Sequence, residues 1–488
     1  MGTMDLEKQM LGSGLITPNL QPASRLLKRR SPHRMPRGVR LALRRIATAV
    51  FCFCLGVIGW SWHAIEVIPG ARDPEQSQLL IAPSPSLPRL LSWGQNLSST
   101  DFTSGLSPFP LRRPLVASGS APVHPDSVYN LHPINHSAYV DAIDEFVSVV
   151  LPPRLQLEYQ TATAMDGILG PAHGWDAVGE GRVIWQKGKD EVGVNGTDMR
   201  SWSEGSAMSE GWEWRFLSDD TATAWIKQNL SGTRLEKLWS NLPSGILNAD
   251  LIRYLLLALC GGIYSDTDTL LLKPPSRWGA GADLWRGERD REVDRVLGRA
   301  RAVVGIEADV GDREDWAEWW PRPLQILQWT MAMAPYHPIA LSAVLRILHN
   351  TPTAITFAQG HYNNYTSLLT QLSSLPRSPP SDLRIELEAQ LAHLGEINVL
   401  SEPRHGGPLG VINWTGPSVF TDAVLSYLFA RYGMTWRDLR GLERPLRVGD
   451  VLVLPVTGFS PGVGNFRAGD VWSSEAMVQL HFKGSWKT

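Results

Sequence analysis

Cysteine is scarce in this sequence, which has 3 among its 488 residues. Two of them, Cys52 and Cys54, lie in one apolar run near the N-terminus, so Cys260 stands alone in the rest of the chain. We therefore expect no intrachain disulfide beyond that run, and we interpret Cys260 as an inert buried thiol. A chain without disulfides depends on its hydrophobic core, and this length has room for one large or two ordinary domains.

An excess of charge of either sign is also missing. The sequence has 46 Lys and Arg against 48 Asp and Glu, a formal net charge of −2. This balance gives no reason to expect a nucleic-acid partner. The local imbalance lies near the N-terminus, where residues 25–45 carry basic side chains and no acidic ones: Arg25, Lys28, Arg29, Arg30, Arg34, Arg37, Arg40, Arg44 and Arg45.

A run without Asp, Glu, Lys or Arg follows at residues 46–65. About 20 such residues match the length of a membrane-spanning helix. The basic residues before it predict a cytosolic tail (1–45), an uncleaved signal anchor (46–65) and a body on the far side of the membrane. The alternatives are a cleaved signal peptide or, less well supported, a basic nucleic-acid arm, which leaves the apolar run unexplained.

Residues 66–137 are rich in Pro, Ser and Leu and have few periodic segments. This composition predicts a flexible stem, with the folded domain at residues 138–488. Sequons for N-glycosylation begin at Asn96, Asn135, Asn195, Asn229, Asn364 and Asn413. We expect Asn413 to be buried and unglycosylated because it lies in an apolar segment.

Helical and strand patterns alternate in the body, which predicts an α/β fold. We predict strands at residues 182–186, 212–217, 263–272, 303–308 and 450–454. We predict helices at residues 219–230, 248–259, 322–333, 338–348, 383–394 and 421–432. Residues 279–302 and 350–396 are interpreted as surface regions, and we find no internal repeat.

The stretch at residues 251–273, LIRYLLLALCGGIYSDTDTLLLK, is the most informative. It predicts a buried helix, a stop at Gly-Gly and a strand on which Asp266 and Asp268 share one side. Two nearby carboxylates repel each other unless a cation lies between them, and hard divalent cations commonly bridge phosphates. Asp250 and Arg253 are three residues apart on the helix, so both can address one ligand. The alternative is a solvated polar loop, which the apolar flanks disfavour.

An ordered set of segments now resembles the fungal initiation-specific α-1,6-mannosyltransferase family and covers most of residues 182–487. Ser265 departs from the family pattern, in which an apolar residue usually precedes the first Asp. The matching segments are VIWQ (183–186), WEWRFLSDD (212–220), the stretch from DLIRY to KP (250–274), VGIEAD (304–309), RPLQILQWTMAMAPYHP (322–338), NWTGPSVFTDAV (413–424), GDVLVLPVTGFSPG (449–462) and HFKGSWK (481–487).

The resemblance implies a type II Golgi membrane protein with one GT-A domain that binds nucleotide sugar. Asp266 and Asp268 would then hold Mn²⁺ on the diphosphate of GDP-mannose, and Asp250 and Arg253 would contact the donor. The alternative for Arg253 is a structural ion pair with Asp250.

Further roles are implied at both ends of the matched region. Trp185 would stack on the nucleotide base, or else pack in the core. His481 would be a late metal ligand, with Ser485 and Trp486 on the diphosphate, although a lone His is more often structural.

Glu307 and Asp309 lie on one strand, and we expect one to face the mannose while the other is structural. Thr415 belongs to a tight turn that lies near the sugar or is only structural.

By this resemblance the expected activity is transfer of mannose to N-linked glycans of glycoproteins in the Golgi, with retention of configuration and without a covalent intermediate. A complex with other mannosyltransferases is an open expectation. One alternative is an inositol-phosphorylceramide acceptor, although that group tends to carry further membrane spans. Another is an inactive luminal subunit of a mannan-synthesising complex, which the Asp pair disfavours.

Overall fold

The computed structural model describes residues 87–108, 136–165, 182–189, 196–285, 300–311, 313–377 and 381–482. Apart from short 3₁₀ turns, the helices are α1 (Leu87–Ser92), α2 (Thr100–Thr103), α3 (His136–Val150), α4 (Pro153–Met165), α5 (Thr197–Ser203), α6 (Ser206–Ser209), α7 (Asp219–Leu230), α8 (Arg234–Asn241), α9 (Gly245–Leu259), α10 (Trp316–Trp319), α11 (Pro338–Ser374), α12 (Asp382–Glu396), α13 (Gly410–Trp414), α14 (Pro417–Tyr432) and α15 (Val456–Phe459). The strands are β1 (Arg182–Lys187), β2 (Trp212–Leu217), β3 (Gly262–Ser265), β4 (Thr269–Leu271), β5 (Asp283–Leu284), β6 (Ala302–Asp309), β7 (Leu324–Ile326), β8 (Thr330–Met333), β9 (Leu446–Val448), β10 (Val451–Leu454) and β11 (Val478–Leu480).

A mixed sheet forms the centre of the described domain, with the strand order β2-β1-β3-β8-β6-β10-β9-β5 and β7 paired to β6. Strands β1, β2 and β3 are parallel. Strand β8 is antiparallel to both of its neighbours, so β3 and β6 end at the same edge of the sheet. The prediction of a mixed α/β fold is confirmed.

Helix α9 is buried along most of its length, because its Leu-rich sequence combines strong helix formers with apolar surface. It packs against the long helix α11, which in turn packs against α14. Together with one face of the sheet these helices enclose the larger hydrophobic core. A smaller core covers the opposite face, where Ile184, Ile263 and Val303 contribute one side chain each from β1, β3 and β6.

The link between α9 and β3 requires two glycines. Gly261 and Gly262 have φ angles of +69° and +96°, in the region that favours glycine. A Cβ on Gly262 would lie 2.2 Å from the carbonyl oxygen of Val183 on β1. Any side chain at this position would separate β3 from β1, and with it the residues that follow β3.

Three sequence-based boundaries are wrong. Residues 322–333 contain β7 and β8 instead of a helix. Both faces of β8 are buried, one in each core, so its sequence shows no strand alternation. The strand predicted at 263–272 stops at Ser265, and residues 266–268 form a turn before β4, which joins β11 in a separate two-stranded sheet. The helix predicted to end near residue 348 continues to Ser374.

The predicted stem includes residues that fold onto the domain, so its boundaries are wrong at residues 87–108. Phe102 on α2 is completely buried in the larger core. The Nε1–H of Trp93 donates to the carbonyl oxygen of Asn241 at 2.6 Å, and Nη1 of Arg234 donates to the carbonyl oxygen of Phe102 at 3.1 Å. Aromatic residues in a Pro- and Ser-rich segment therefore anchor it to the domain.

The predicted membrane anchor, residues 46–65, lies outside the described residues. Within the part of the chain that the structure describes, no helix has the length and apolar character needed to cross a bilayer. Asn413 is buried, as expected from its apolar surroundings. Cys260 is partly buried, and burial raises the pKa of its thiol to about 11.

Candidate active site

Asp250 on α9 is the centre of a buried polar network. Its Oδ1 accepts a hydrogen bond from Gln328 Nε2 at 3.0 Å, and its Oδ2 accepts one from Thr415 Oγ1 at 2.8 Å. Arg253 Nη2 forms an ion pair with Oδ1 at 3.1 Å. Burial raises the pKa of Asp250, although Arg253 and the two neutral donors oppose the shift. Tyr254 completes the network by donating to Gln328 Oε1 and to the carbonyl oxygen of Thr415.

Arg253 connects this network to the end of β3. Its Nη2 lies 3.4 Å from Asp266 Oδ1, and its guanidinium lies 5.0 Å from the centre of the Tyr264 ring. Its Nη1 donates to the carbonyl oxygen of Gln328 at 3.1 Å. Burial favours the neutral guanidine, but the nearby carboxylates of Asp266 and Asp250 outweigh it, so the pKa of Arg253 rises. The predicted ion pair with Asp250 is present, and Arg253 shares it with Asp266.

Residues 266–268, which we call the D-x-D turn, are fixed mainly through the backbone of Asp266. The Asp266 N–H donates to the carbonyl oxygen of Trp329 at 2.7 Å, and Gln186 Nε2 donates to the Asp266 carbonyl oxygen at 3.0 Å. The Tyr264 hydroxyl donates to Asp266 Oδ1 at 2.9 Å. Burial raises the pKa of Asp266 to about 6, and the neighbouring charge of Asp268 contributes to the rise. The negative charge of Asp268 therefore disfavours a second negative charge on Asp266.

Ser265, which departs from the family pattern, has a structural role in this arrangement. Its side chain is completely buried, and its Oγ lies 2.7 Å from the hydroxyl oxygens of both Thr269 and Thr330. The Thr269 hydroxyl also donates to the carbonyl oxygen of Asp266 at 2.6 Å. A buried serine is thus satisfied by hydroxyl partners on β4 and β8, and the same hydroxyl groups hold the D-x-D turn.

The C-terminal segment lies beside the D-x-D turn. Strand β11 pairs with β4, and the His481 N–H donates to the carbonyl oxygen of Asp268 at 2.9 Å. However, Nδ1 of the His481 ring lies 2.9 Å from Asp198 Oδ1, so the ring pairs with a carboxylate on α5. Among the described residues no three His, Cys, Asp or Glu side chains form a group that could hold a metal ion, and the predicted set of Asp266, Asp268 and His481 is not assembled. The predicted diphosphate contacts, Ser485 and Trp486, lie outside the described residues.

Trp185 packs in the core, which supports the alternative given for it above. It is 4% exposed, and its Nε1–H donates to the carbonyl oxygen of Gly261 at 2.9 Å. The Arg215 guanidinium lies over the ring, 5.4 Å from its centre. With its N–H satisfied and its ring covered, Trp185 offers no free face to a nucleotide base.

Glu307 and Asp309, at the end of β6, have different surroundings. Asp309 accepts from Arg440 Nε at 2.9 Å and from the Gly441 N–H at 2.7 Å. Glu307 accepts from Gln325 Nε2 at 2.6 Å, and burial raises its pKa to about 7. Asp309 is therefore held by a cation and a backbone donor, whereas Glu307 accepts from a neutral amide.

Sequence reasoning missed several residues of the network: Gln186, Asp198, Tyr254, Tyr264 and Gln328. All except Asp198 lie inside the segments that carry the family resemblance. The resemblance therefore included these residues but did not indicate what each of them does. A glutamine in an apolar segment, such as Gln186 or Gln328, is the clearest cue, since a buried amide needs hydrogen-bond partners.

Comparison with known proteins places Asp250, Arg253 and Asp266 of this network in a family region. Residues 183–285 match the family described as a glycosyltransferase sugar-binding region containing a DXD motif. The chain is similar to proteins named initiation-specific alpha-1,6-mannosyltransferase. In Schizosaccharomyces pombe the identity is 32% over 311 residues, 63% of each chain. In Saccharomyces cerevisiae it is 27% over 385 residues, 62% of this chain and 76% of the relative. In Candida albicans it is 32% over 266 residues, 51% of this chain and 56% of the relative.

The match therefore spans less than two thirds of the length of the S. pombe relative. The family region at residues 183–285 includes the D-x-D turn, α9 and β3. The resemblance predicted from the motifs is confirmed: the chain is a relative of the fungal initiation-specific α-1,6-mannosyltransferases and carries the DXD-containing glycosyltransferase region.

Proposed function

We propose that this protein is a GDP-mannose-dependent α-1,6-mannosyltransferase with a GT-A type domain, and that it acts on N-linked glycans of glycoproteins in the Golgi lumen. The observation that carries the proposal is the buried network in which Arg253 joins Asp250 on α9 to Asp266 in the D-x-D turn. A buried cation and hydrogen-bonded carboxylates at the end of a central strand suit a diphosphate sugar. The names of the relatives support mannose as the sugar and α-1,6 as the linkage.

In this proposal the residues of α9 bind the donor. The Arg253 guanidinium supplies positive charge and hydrogen-bond donors to the diphosphate side of the donor. A carboxylate has about four lone-pair sites, and Asp250 receives donors from Gln328, Arg253 and Thr415. The remaining capacity of Asp250 suits one hydroxyl group of the donor, and its three partners fix its orientation.

We expect the carboxylates of Asp266 and Asp268 in the D-x-D turn to hold a divalent cation. Burial and the charge of Asp268 both raise the pKa of Asp266, whereas Arg253 and the Tyr264 hydroxyl lower it. Carboxylate oxygens are the ligands that Mn²⁺ and Mg²⁺ accept. When bound there, the cation supplies Lewis-acid stabilisation of the negative charge on departing GDP. The chain itself holds the turn through Gln186 and Trp329, and the His481 backbone fixes Asp268.

Transfer from the α-linked donor to an α-linked product is a retention of configuration. Among the described residues of the network, none is offered as a nucleophile, because Asp250 is held by three donors and Asp266 is paired with Arg253 and Tyr264. We therefore propose attack by the acceptor hydroxyl on the face that GDP leaves, without a covalent intermediate.

The test uses the full chain in detergent with GDP-mannose, Mn²⁺ and a panel of high-mannose N-glycans. We expect addition of a mannose that an α-1,6-specific mannosidase removes, and loss of transfer in EDTA. UDP-glucose serves as the control donor and should be inactive. Transfer to inositol phosphorylceramide in place of the glycans would support the glycolipid alternative, and no hydrolysis or transfer of GDP-mannose would support the inactive subunit.

The proposed topology is tested separately in sealed microsomes that contain the full chain. Protease added outside should remove the basic tail before residue 46 and leave the body intact, and the exposed sequon at Asn96 should carry glycan. Asn413 is the internal control, since it is buried in the folded domain. A body that is digested without detergent contradicts the Golgi-lumen proposal but leaves the enzymatic one standing.

A further inference from the structure

One short segment of the chain touches both the donor network and the end of β6. Gln328, in the loop between β7 and β8, bonds to Asp250 and Arg253. Gln325 on β7, three residues earlier, donates to Glu307 at 2.6 Å. Both contacts are short and involve buried glutamines, which are 2% and 7% exposed for Gln325 and Gln328, respectively. The segment at residues 325–328 therefore contacts both Glu307 and the proposed donor network.

Glu307 has the features of a binding group, and Asp309 those of a structural one. Asp309 is paired with Arg440 and also accepts the Gly441 N–H. Glu307 is partly exposed, and no charged group contributes to the shift that brings its pKa to about 7. Within the described part of the chain, Oε1 of its partner Gln325 is buried without a hydrogen-bond partner. A buried polar group left in this way calls for an explanation, and ligand-binding sites are where such costs are tolerated.

Two residues before Glu307, β6 packs against the end of α15. Gly305, two residues before Glu307, lies so close to Phe459 on α15 that a Cβ at Gly305 would be 2.7 Å from that ring. Leu327 borders the same point at 3.2 Å. The loop that leaves α15 then packs Val463, Phe466 and Ala468 against the larger core.

Two consecutive residues of this loop have unusual backbone conformations. Phe466 and Arg467 have φ angles of 56° and 60°, which non-glycine residues adopt at a cost. The Phe466 ring packs edge-on against Trp320 with 5.6 Å between the ring centres, and both rings are partly exposed. Arg467 approaches Gly441, whose N–H donates to Asp309 two residues beyond Glu307. The aromatic pair therefore lies beyond the end of β6.

We propose that Glu307 binds hydroxyl groups of the acceptor mannose, and that the Trp320–Phe466 pair binds the apolar face of a neighbouring sugar in the same glycan. A carboxylate accepts hydrogen bonds from sugar hydroxyls, and an aromatic face packs against the C–H face of a pyranose ring. This acceptor subsite rests on the proposed mannosyltransferase function and deepens it. It makes Glu307 an acceptor-binding residue and leaves Asp309 as the residue that holds the loop of Arg440.

The experiment compares two acceptors, methyl α-mannoside and a high-mannose N-glycan, with the full chain, GDP-mannose and Mn²⁺. Glu307→Gln should raise the KM of both acceptors about 10-fold, the usual loss for a hydrogen bond to a charged group. Phe466→Asn removes the ring and keeps a residue that tolerates positive φ. It should raise the KM of the glycan alone. The KM of GDP-mannose and its hydrolysis without acceptor should not change in either variant.

Glu386→Gln on the exposed surface of α12 is the matched control and should leave all constants as in the wild type. If Glu307→Gln fails to fold in a thermal unfolding assay, Gln325→Leu takes its place, because it removes the donor to Glu307 and preserves the volume of the side chain. If Glu307→Gln leaves the acceptor KM unchanged, or raises the KM of GDP-mannose equally, the acceptor subsite is wrong. Transfer of mannose by the wild type then still supports the proposed function. Should the wild type transfer no mannose, calorimetric titration of the glycan still decides: binding that Glu307→Gln weakens supports the subsite, and absence of binding overturns it.

Discussion

The guanidinium of Arg253 lies 3.4 Å from the carboxylate of Asp266, so helix α9 and the D-x-D turn share an ion pair. Arg253 is 6% exposed, and burial of a charge without a partner is expensive. The pair therefore fixes the turn relative to the core helix, and a change on one element is expected to affect the other. The first three predictions follow from this coupling.

Replacement of Arg253 by lysine keeps the positive charge but removes the planar fork of donors. Lysine cannot bond at once to Asp250, Asp266 and the Gln328 carbonyl oxygen as Arg253 does. We expect the affinity for GDP, measured by calorimetry with Mn²⁺, to fall about 10-fold or more. Arg384→Lys on α12, where the arginine pairs with Glu388, is the control. GDP affinity equal to that of the wild type would make Arg253 purely structural.

Replacement of Asp268 by asparagine tests charge and metal ligation at nearly constant volume. We expect mannosyl transfer to fall on the order of 10²–10³-fold, the usual effect of losing one electrostatic contact to transition-state charge. Thermal stability without metal should be preserved, since the hydrogen bond from the His481 N–H goes to the backbone of Asp268. Asp382→Asn at the exposed start of α12 is the control. Transfer at the wild-type rate in Asp268→Asn would contradict the assignment of the turn as a metal site.

Replacement of Thr415 by valine removes the 2.8 Å hydrogen bond to Asp250 Oδ2 while keeping the shape of the side chain. Because Thr415 is completely buried, we expect a loss of about 1–3 kcal/mol in the free energy of unfolding and weaker binding of GDP-mannose. Thr415→Ser keeps the hydroxyl and should restore both properties. Urea denaturation and donor titration provide the measurements. If Thr415→Ser and Thr415→Val behave alike, the hydroxyl does not orient Asp250.

The shared helix face of Asp250 and Arg253 and the end of α9 at Gly261 were predictable from the sequence because local rules decide them. Residues three apart on a helix share a face, and two glycines end the helix before a strand. The wrong element at residues 322–333 has a physical cause. Strand β8 places Met331 and Met333 in the larger core and Ala332 in the smaller one, so both of its faces are buried and its sequence shows no alternation of apolar and polar residues. Periodicity alone does not separate such a strand from a buried helix.

Local sequence rules do not predict contacts between residues that are distant in the sequence. Nothing local indicates that His481 pairs with Asp198, because 283 positions separate them and the packing of β11 on β4 brings them together. Trp185 shows the same limit. An aromatic residue at a strand end is equally consistent with a ligand contact and with packing in the core. The buried hydrogen bond from Trp185 Nε1 to the carbonyl oxygen of Gly261 shows that this ring packs in the core. Sequence patterns identify candidate residues, but the partners of these residues depend on tertiary packing.

The last prediction concerns the pH dependence of stability at Glu307. Burial raises its pKa in the folded protein to about 7, whereas an exposed Glu titrates near about 4.3. Between these values the folded state binds more protons at this position than the unfolded state, so the contribution of Glu307 to stability falls as pH rises through the window. The amide in Glu307→Gln does not ionise and avoids this loss. Relative to the wild type, the variant should therefore gain free energy of unfolding between pH 5 and pH 8, as measured by urea denaturation. Glu386→Gln should give the same difference from wild type at both pH values. If the difference between Glu307→Gln and wild type does not change with pH, Glu307 is solvated like a surface carboxylate. Its pKa is then not raised by burial.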